Sequence, residues 1–209
     1  MRTIMRNGLI AGFCVLVLGL VVTVIPARAS TVDVGASGST GQFFAFSQDQ
    51  WLGAQFTLSD ATQINTVSLG ISESPTAFYT VEIVDNLTGG TVEWTSPSVD
   101  TINPVFTPSS LTLPGGTYFL IGPTTGGGGG WSDSAGALTQ IGGSVGSSFW
   151  VSGNQGASWA FIGGSSPPLE FDITGTTTAV TPEPSSLLLF GSGLLGLAPL
   201  FRRRARTTA

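Results

Sequence analysis

The sequence predicts an all-β protein, an antiparallel β-sandwich of the jelly-roll type, flanked by two apolar terminal segments. Three observations predict this fold. Several segments of residues 30–178 alternate apolar and polar residues, the period of half-buried strands. Clusters of Gly, Pro, Ser and Asn separate these segments at regular intervals. No 3.6-residue period of an amphipathic helix is evident there. The pattern favours roughly nine to eleven short strands.

The first strands are predicted from the segments NTVSLGI and FYTVEIVD, in which every second residue is apolar. The turn NLTGG follows the second segment and leads into TVEWTS, so these two segments are expected to form a β-hairpin with glycine in the turn. Glu82 is expected on the outer face. The positions predicted to face the core are Val67, Leu69, Ile71, Tyr79, Val81 and Ile83.

The later strands are predicted from LTLPGGTYFLIG, SFWVS, SWAFIG and LEFDITG. In the first, a Pro-Gly turn precedes a strand at Thr117–Ile121. Trp150 and Trp159 lie in apolar strands and are expected in the core. The glycine-rich stretch TTGGGGGW, residues 124–131, is predicted to be a surface loop. In the last segment Leu169, Phe171 and Ile173 are predicted to face the core, and Glu170 and Asp172 to face water.

Charge is distributed unevenly along the chain. The seven basic residues all lie in the end segments, and residues 30–201 contain no Lys, Arg or His. The formal net charge of −5, which is 7 − 12, therefore hides a central domain near −11. Nucleic-acid binding is excluded, because it depends on Lys and Arg at the phosphates. A nucleophilic triad and a zinc site are disfavoured without His or Cys, so no catalytic and no metal-ligating residues are assigned.

Residues 1–29 are predicted to be a secretory signal peptide. Arg2 and Arg6 form a positive start, Gly8–Ile25 is apolar, and Pro26 breaks the helix. The small-x-small sequence Ala27-Arg28-Ala29 predicts cleavage by signal peptidase between Ala29 and Ser30. The alternative is an uncleaved anchor, since the apolar stretch nearly spans a bilayer.

Residues 179–209 combine three features in order: Pro182-Glu183-Pro184, an uncharged segment, and a basic tail. The uncharged segment, residues 185–201, is at the short limit of a transmembrane helix. The positive-inside rule keeps the tail cytoplasmic and the body on the other side. A plain membrane anchor explains the helix and the tail but not Pro-Glu-Pro. The topology-setting arginines are Arg202, Arg203, Arg204 and Arg206.

This layout resembles the PEP-CTERM protein-sorting signal. The resemblance implies an exosortase, a membrane enzyme, as partner, with Pro182, Glu183 and Pro184 as its recognition element. It implies a precursor in the inner membrane that is processed and then displayed at the cell surface or secreted. The body, residues 30–178, is similar in its order of motifs to small β-sandwich domains found on such proteins. We therefore expect a non-catalytic surface or extracellular-matrix module, with exopolysaccharide as a candidate partner.

The sequence leaves other functions open for the body. Trp131 follows five glycines and is expected to be exposed, where its indole could stack on a sugar as in a carbohydrate-binding module. A pair of the many carboxylates could serve a glycosidase. The unpaired acids also make a structural calcium ion a hypothesis, although no Asp-x-Asp-x-Asp loop occurs. The aspartates near predicted strand ends are Asp33, Asp49, Asp60, Asp85, Asp100 and Asp133.

Overall fold

A computed structural model describes residues 29–73, 75–126, 128–163 and 166–178. Thirteen strands lie in these ranges, and together they form one unit, Ala29–Thr178. No described residue belongs to a helix long and apolar enough to cross a membrane. The strands are β1 (Thr31–Phe46), β2 (Trp51–Leu58), β3 (Thr62–Leu69), β4 (Ile71–Glu73), β5 (Tyr79–Val84), β6 (Val92–Thr95), β7 (Val105–Phe106), β8 (Thr112–Leu113), β9 (Gly116–Gly126), β10 (Gly129–Ile141), β11 (Gly143–Ser152), β12 (Ala160–Ile162) and β13 (Phe171–Thr177).

The strands form two antiparallel sheets. The seven-stranded sheet has the order β4-β10-β1-β13-β3-β7, with β8 also pairing β3. The six-stranded sheet has the order β12-β11-β2-β9-β5-β6. Within them, β1-β13-β3-β7 in one sheet and β2-β9-β5-β6 in the other interleave distant parts of the chain, as in a jelly roll. The all-β, antiparallel prediction is therefore confirmed.

The two sheets share one apolar core, which fits a β-sandwich. Aromatic rings from opposite sheets meet in it. The ring centroids of Phe44 and Phe149 are 4.2 Å apart, and those of Phe56 and Phe171 are 6.2 Å apart. At one end of the core Trp94 meets Phe106 edge-on at 5.7 Å. Residues 29–178 contain no cysteine, so the described body is held together without a disulfide.

The alternating patterns predicted the inner face correctly. All nine positions that strict alternation predicted to face the core are buried, namely Val67, Leu69, Ile71, Tyr79, Val81, Ile83, Leu169, Phe171 and Ile173. The predicted hairpin is also confirmed, because β5 and β6 pair antiparallel around a turn in which Gly89 has a φ of 67°.

Two predictions about the strands were wrong. Thirteen strands are present in the described ranges instead of nine to eleven. Strands β7 and β8 are only two residues long, and β1 and β10 are rich in Gly, Ser and Thr, so the sequence pattern does not reveal them. The glycine-rich stretch 124–131 is not simply a surface loop. Strand β9 ends at Gly126 and β10 begins at Gly129, so the sheets extend into it from both sides.

The two ends of the body lie side by side. Strand β1 begins beside the end of β13, with Thr31 opposite Thr176. Next to this pair, the backbone N–H of Thr177 donates to the Ser30 carbonyl at 2.8 Å, and the Ser30 N–H donates to the Thr177 Oγ1 at 2.8 Å. The first and last residues of the body are thus held together by hydrogen bonds.

Candidate functional site

The predicted sorting and processing residues lie mostly outside the described residues. This holds for Pro182, Glu183 and Pro184, for the four tail arginines, for the predicted helix 185–201 and for Ala27. Ala29 and Ser30 are described, and both are exposed. The bond at which cleavage is predicted therefore joins two exposed residues at the edge of the body.

Trp131 is not an exposed sugar platform, and this prediction was wrong. Its side chain is 1% exposed and belongs to the core between the sheets. The indole N–H donates to the backbone carbonyl of Glu170 at 2.8 Å. The backbone of Trp131 pairs with Phe44 on one side and Ile71 on the other. Gly129 and Gly130, directly before Trp131, belong to β10 and do not hold the ring out in solvent.

A polar groove crosses the outer face of the seven-stranded sheet. Its volume is about 500 Å³, and Glu170 and Asp172 line it. Asp172 on β13 and Glu170, directly before β13, point outward as predicted, but both are half-buried and do not lie fully in water. Asp133, on neighbouring β10, is buried and accepts a hydrogen bond from the Thr40 hydroxyl. The serines of the groove are Ser37, Ser39, Ser68, Ser72 and Ser132.

Burial raises the pKa values of both groove carboxyls. The pKa of Asp172 rises to about 6, because the group is partly buried and shares a hydrogen bond with the like-charged Asp33. The pKa of Glu170 is also raised by burial and by the charge of Asp133, against a hydrogen bond from the Gly38 backbone. The Asp172 carboxyl therefore binds a proton at a higher pH than an ordinary aspartate does.

One pair of carboxyls beside the groove, Asp33 and Asp172, lies closer together than the pair of a glycosidase. Glycosidases keep their two carboxyls about 5–9.5 Å apart, whereas Asp33 and Asp172 hydrogen-bond directly. Among the described ranges no group of three or more His, Cys, Asp or Glu is arranged to hold a metal ion. The structural calcium ion stays a prediction from the charge pattern.

A second feature lies on the outer face of the six-stranded sheet. We call it the aromatic platform and define it as Phe119, Trp150, Trp159 and Phe161. Trp150 points outward because its neighbour Phe149 points into the core. The Trp150 ring lies 5.0 Å from that of Phe161 and 6.3 Å from that of Phe119. Phe161 is 50% exposed at the end of the row.

Strand register explains how four rings fit on one face. Phe161, Trp150, Gly53 and Ile121 are directly opposite one another on neighbouring strands. Gly53 leaves a gap in this row, and the Trp159 ring covers it: a Cβ on Gly53 would lie 3.3 Å from Cζ3 of Trp159. A glycine in the middle of β2 thus has a packing role.

The connection between β11 and β12 holds Trp159 in position. The Asn154 side chain accepts from the Ser152 hydroxyl and from the Ser158 backbone N–H, both at 2.9 Å, and donates to the Ser158 hydroxyl at 2.9 Å. The Gln155 side chain donates to Asp49 at 2.8 Å. These hydrogen bonds hold the β11–β12 connection in one conformation and attach it to the β1–β2 turn. Trp159 lies at the end of this connection.

The platform was missed at the level of sequence, although a signal for it was present. Trp150 and Trp159 were expected in the core because their segments are apolar. The strict alternation in SFWVS is the better guide, since an inward Phe149 requires an outward Trp150. Trp150 and Trp159 are half-buried, and within the described chain neither indole N–H has a hydrogen-bond acceptor.

Comparisons with known proteins place one feature of the chain in a family. The family model of the PEP-CTERM protein-sorting motif matches residues 180–205. The match contains Pro182-Glu183-Pro184 and three of the four tail arginines. A comparison with curated proteins finds no match.

Proposed function

Because residues 180–205 are a PEP-CTERM protein-sorting motif, which marks an exported protein targeted by an exosortase, we propose the following course for this chain. Residues 1–29 direct export and are removed by signal peptidase. The segment 185–201 then holds the precursor in the inner membrane, with the arginines in the cytoplasm. An exosortase recognises Pro182-Glu183-Pro184, and processing delivers the body to the cell surface or the medium. The observation that carries this proposal is the match at residues 180–205.

We propose that the body is a non-catalytic module of a hydrated extracellular matrix. Residues 30–178 contain no His, Lys or Cys, the usual partners of a nucleophile. Eleven of the twelve acids fall in this body. A surface of hydroxyl and carboxylate groups is well hydrated and soluble among neutral polymers. These features support a displayed domain, and the sorting signal itself indicates a surface protein.

The test is a change of the recognition element. Replacing Pro182, Glu183 and Pro184 by Ala together should leave full-length precursor in the inner membrane of a host that contains an exosortase. The physical reason is that proline favours an extended backbone, and a protease-like active site binds an extended segment. Immunoblots of membrane, surface and medium fractions measure the outcome, and mass spectrometry gives both new chain ends.

The matched control replaces Ser185 and Ser186 by Ala, since this changes the same segment without touching Pro-Glu-Pro. Its processing should be normal. A host lacking exosortase should retain the precursor of the unmodified chain as well. Normal maturation of the Pro-Glu-Pro variant would refute the proposed recognition. If the unmodified chain stayed in the membrane equally in hosts with and without exosortase, the tail would be a plain anchor.

A further inference from the structure

We propose that the aromatic platform binds a neutral polysaccharide. This inference does not depend on how the chain is sorted, because it rests on the outer face of the six-stranded sheet alone. The platform consists of Phe119, Trp150, Trp159 and Phe161, as defined above. Its ligand would be a chain of uncharged sugar rings lying across β11 and β12.

The first support is the arrangement of the rings. Phe161 is 50% exposed and packs at 5.0 Å on the partly exposed Trp150. Trp159 lies beside them over Gly53. A pyranose presents a flat face of C–H groups, and such a face stacks on the electron-rich surface of an aromatic ring. Rings anchored on strands and a fixed loop are positioned before binding, which lowers the entropic cost of association.

The pair of indole N–H groups is a further feature of the platform. In the described residues neither the Trp150 nor the Trp159 N–H has an acceptor. An unpaired buried donor costs about 1–3 kcal/mol, and native proteins keep few of them. The other two indoles whose bonds are resolved, Trp51 and Trp131, donate to backbone carbonyls. Both Nε1 atoms are themselves buried, so a ligand hydroxyl would reach them only after the indole rings shift.

Charge and area select the class of ligand. The body contains eleven acids and no cation between residues 30 and 178, so it repels polyanions such as uronate-rich polymers or nucleic acids. The exposed parts of the platform rings amount to roughly 300 Å², taking full aromatic side chains as about 150–250 Å². A stable protein interface buries about 800 Å² on each partner. A neutral sugar chain fits this patch better than a second copy of the protein.

The test uses affinity gel electrophoresis of the full chain in a non-glycosidic detergent. Gels contain a β-1,3-glucan, hydroxyethyl cellulose, a galactomannan or, as the anionic comparison, alginate. We expect at least one neutral polymer to retard the protein and alginate to leave its mobility unchanged. The Phe161→Ala variant should bind that polymer about tenfold more weakly, the loss expected for one stacked ring. Trp159→Phe should also weaken binding.

The matched control is Phe78→Ala, since Phe78 is 59% exposed in the β4–β5 connection and is not part of the platform. It should bind like the unmodified chain. Thermal unfolding of each variant verifies that it is folded. The proposal is overturned if no neutral polymer retards the protein, or if Phe161→Ala and Phe78→Ala bind equally. It is also overturned if sedimentation shows a dimer that only Phe161→Ala disperses, with no polysaccharide binding.

Discussion

Asp172 shows how one side chain can follow the strand pattern and still differ from the environment that the pattern predicts. It points outward from β13, between the buried Phe171 and Ile173. However, β1 and β3 flank it, and Asp33 on β1 lies within hydrogen-bond reach. Sequence alternation gives the face on which a residue lies. It does not give the neighbours on that face, because those depend on strand order.

The first prediction concerns pH. The pKa of Asp172 is about 6 in the folded protein, above its usual value of 3.8. The folded state therefore binds more protons than the unfolded state between these values, and stability falls as pH rises through that window. Asp172→Asn removes the penalty. We expect it to raise the free energy of unfolding by about 1 kcal/mol at pH 8, after allowing for partial solvent exposure, and to change little at pH 3.5.

Urea unfolding curves at several pH values measure this effect. Asp60→Asn is the control, because Asp60 is exposed and lies away from the groove. It should show no such dependence on pH. If Asp172→Asn were equally stabilising at pH 3.5 and pH 8, the raised pKa of Asp172 would be wrong.

At the scale of elements, strands β1 and β13 depend on close backbone approach. Gly35 is opposite Asp172 in this pair. A Cβ on Gly35 would lie 2.5 Å from the carbonyl oxygen of Phe171 and 2.7 Å from Oδ1 of Asp172. The carbonyl belongs to the sheet backbone and cannot move without disturbing the pair. Position 35 therefore requires glycine, because the gap between β1 and β13 is too small for a side chain.

The second prediction follows from this contact. Gly35→Ala should lower the free energy of unfolding by about 2–3 kcal/mol, the usual size of an overpacking effect. The melting temperature should fall by roughly 5–10 °C for a domain of this size. Gly153→Ala is the control, because nothing lies within 4 Å of its added Cβ. Equal melting temperatures for the two variants would contradict the close approach of β1 and β13.

Which elements the sequence predicts depends on their composition. Strands β3, β5 and β13 were found because branched apolar residues alternate with polar ones. Strand β1 was missed, since the middle of it is GASGSTGQ, where every residue is small or polar and many are exposed. Its pairing with β10 also shifts register between Ser37 and Phe43. This strand is stabilised by pairing with β10 and β13, which lie far along the chain. The local sequence of β1 therefore does not predict it.

At the scale of the whole molecule, the sequence was most informative about sorting and least informative about the body. The sorting motif is a contiguous run of residues, so it can be read directly, and the family match agrees with it. The aromatic platform combines residues from β9, β11, β12 and the loop before β12. Trp131 was predicted to be exposed because five glycines precede it. Its position in β10 instead directs the ring into the core.

Hydrogen bonds between Ser30 and Thr177 bring the two ends of the body next to each other. The same sheets could therefore form from a chain that begins and ends at another point. Joining Thr178 to Ser30 with a short Gly-Ser linker and opening the chain between Thr88 and Gly89, which are exposed in the β5–β6 turn, should give a permuted domain with the same sheets, since nearby ends and surface turns favour permutation. Circular dichroism and a cooperative thermal transition would verify it, and an unfolded product would show that the native ends are needed. In the natural chain, the predicted signal peptide and the sorting motif are both attached to the body at this junction. Either segment can therefore be removed without cutting a strand of the described body, and the opposite end of the sandwich is covalently attached to neither.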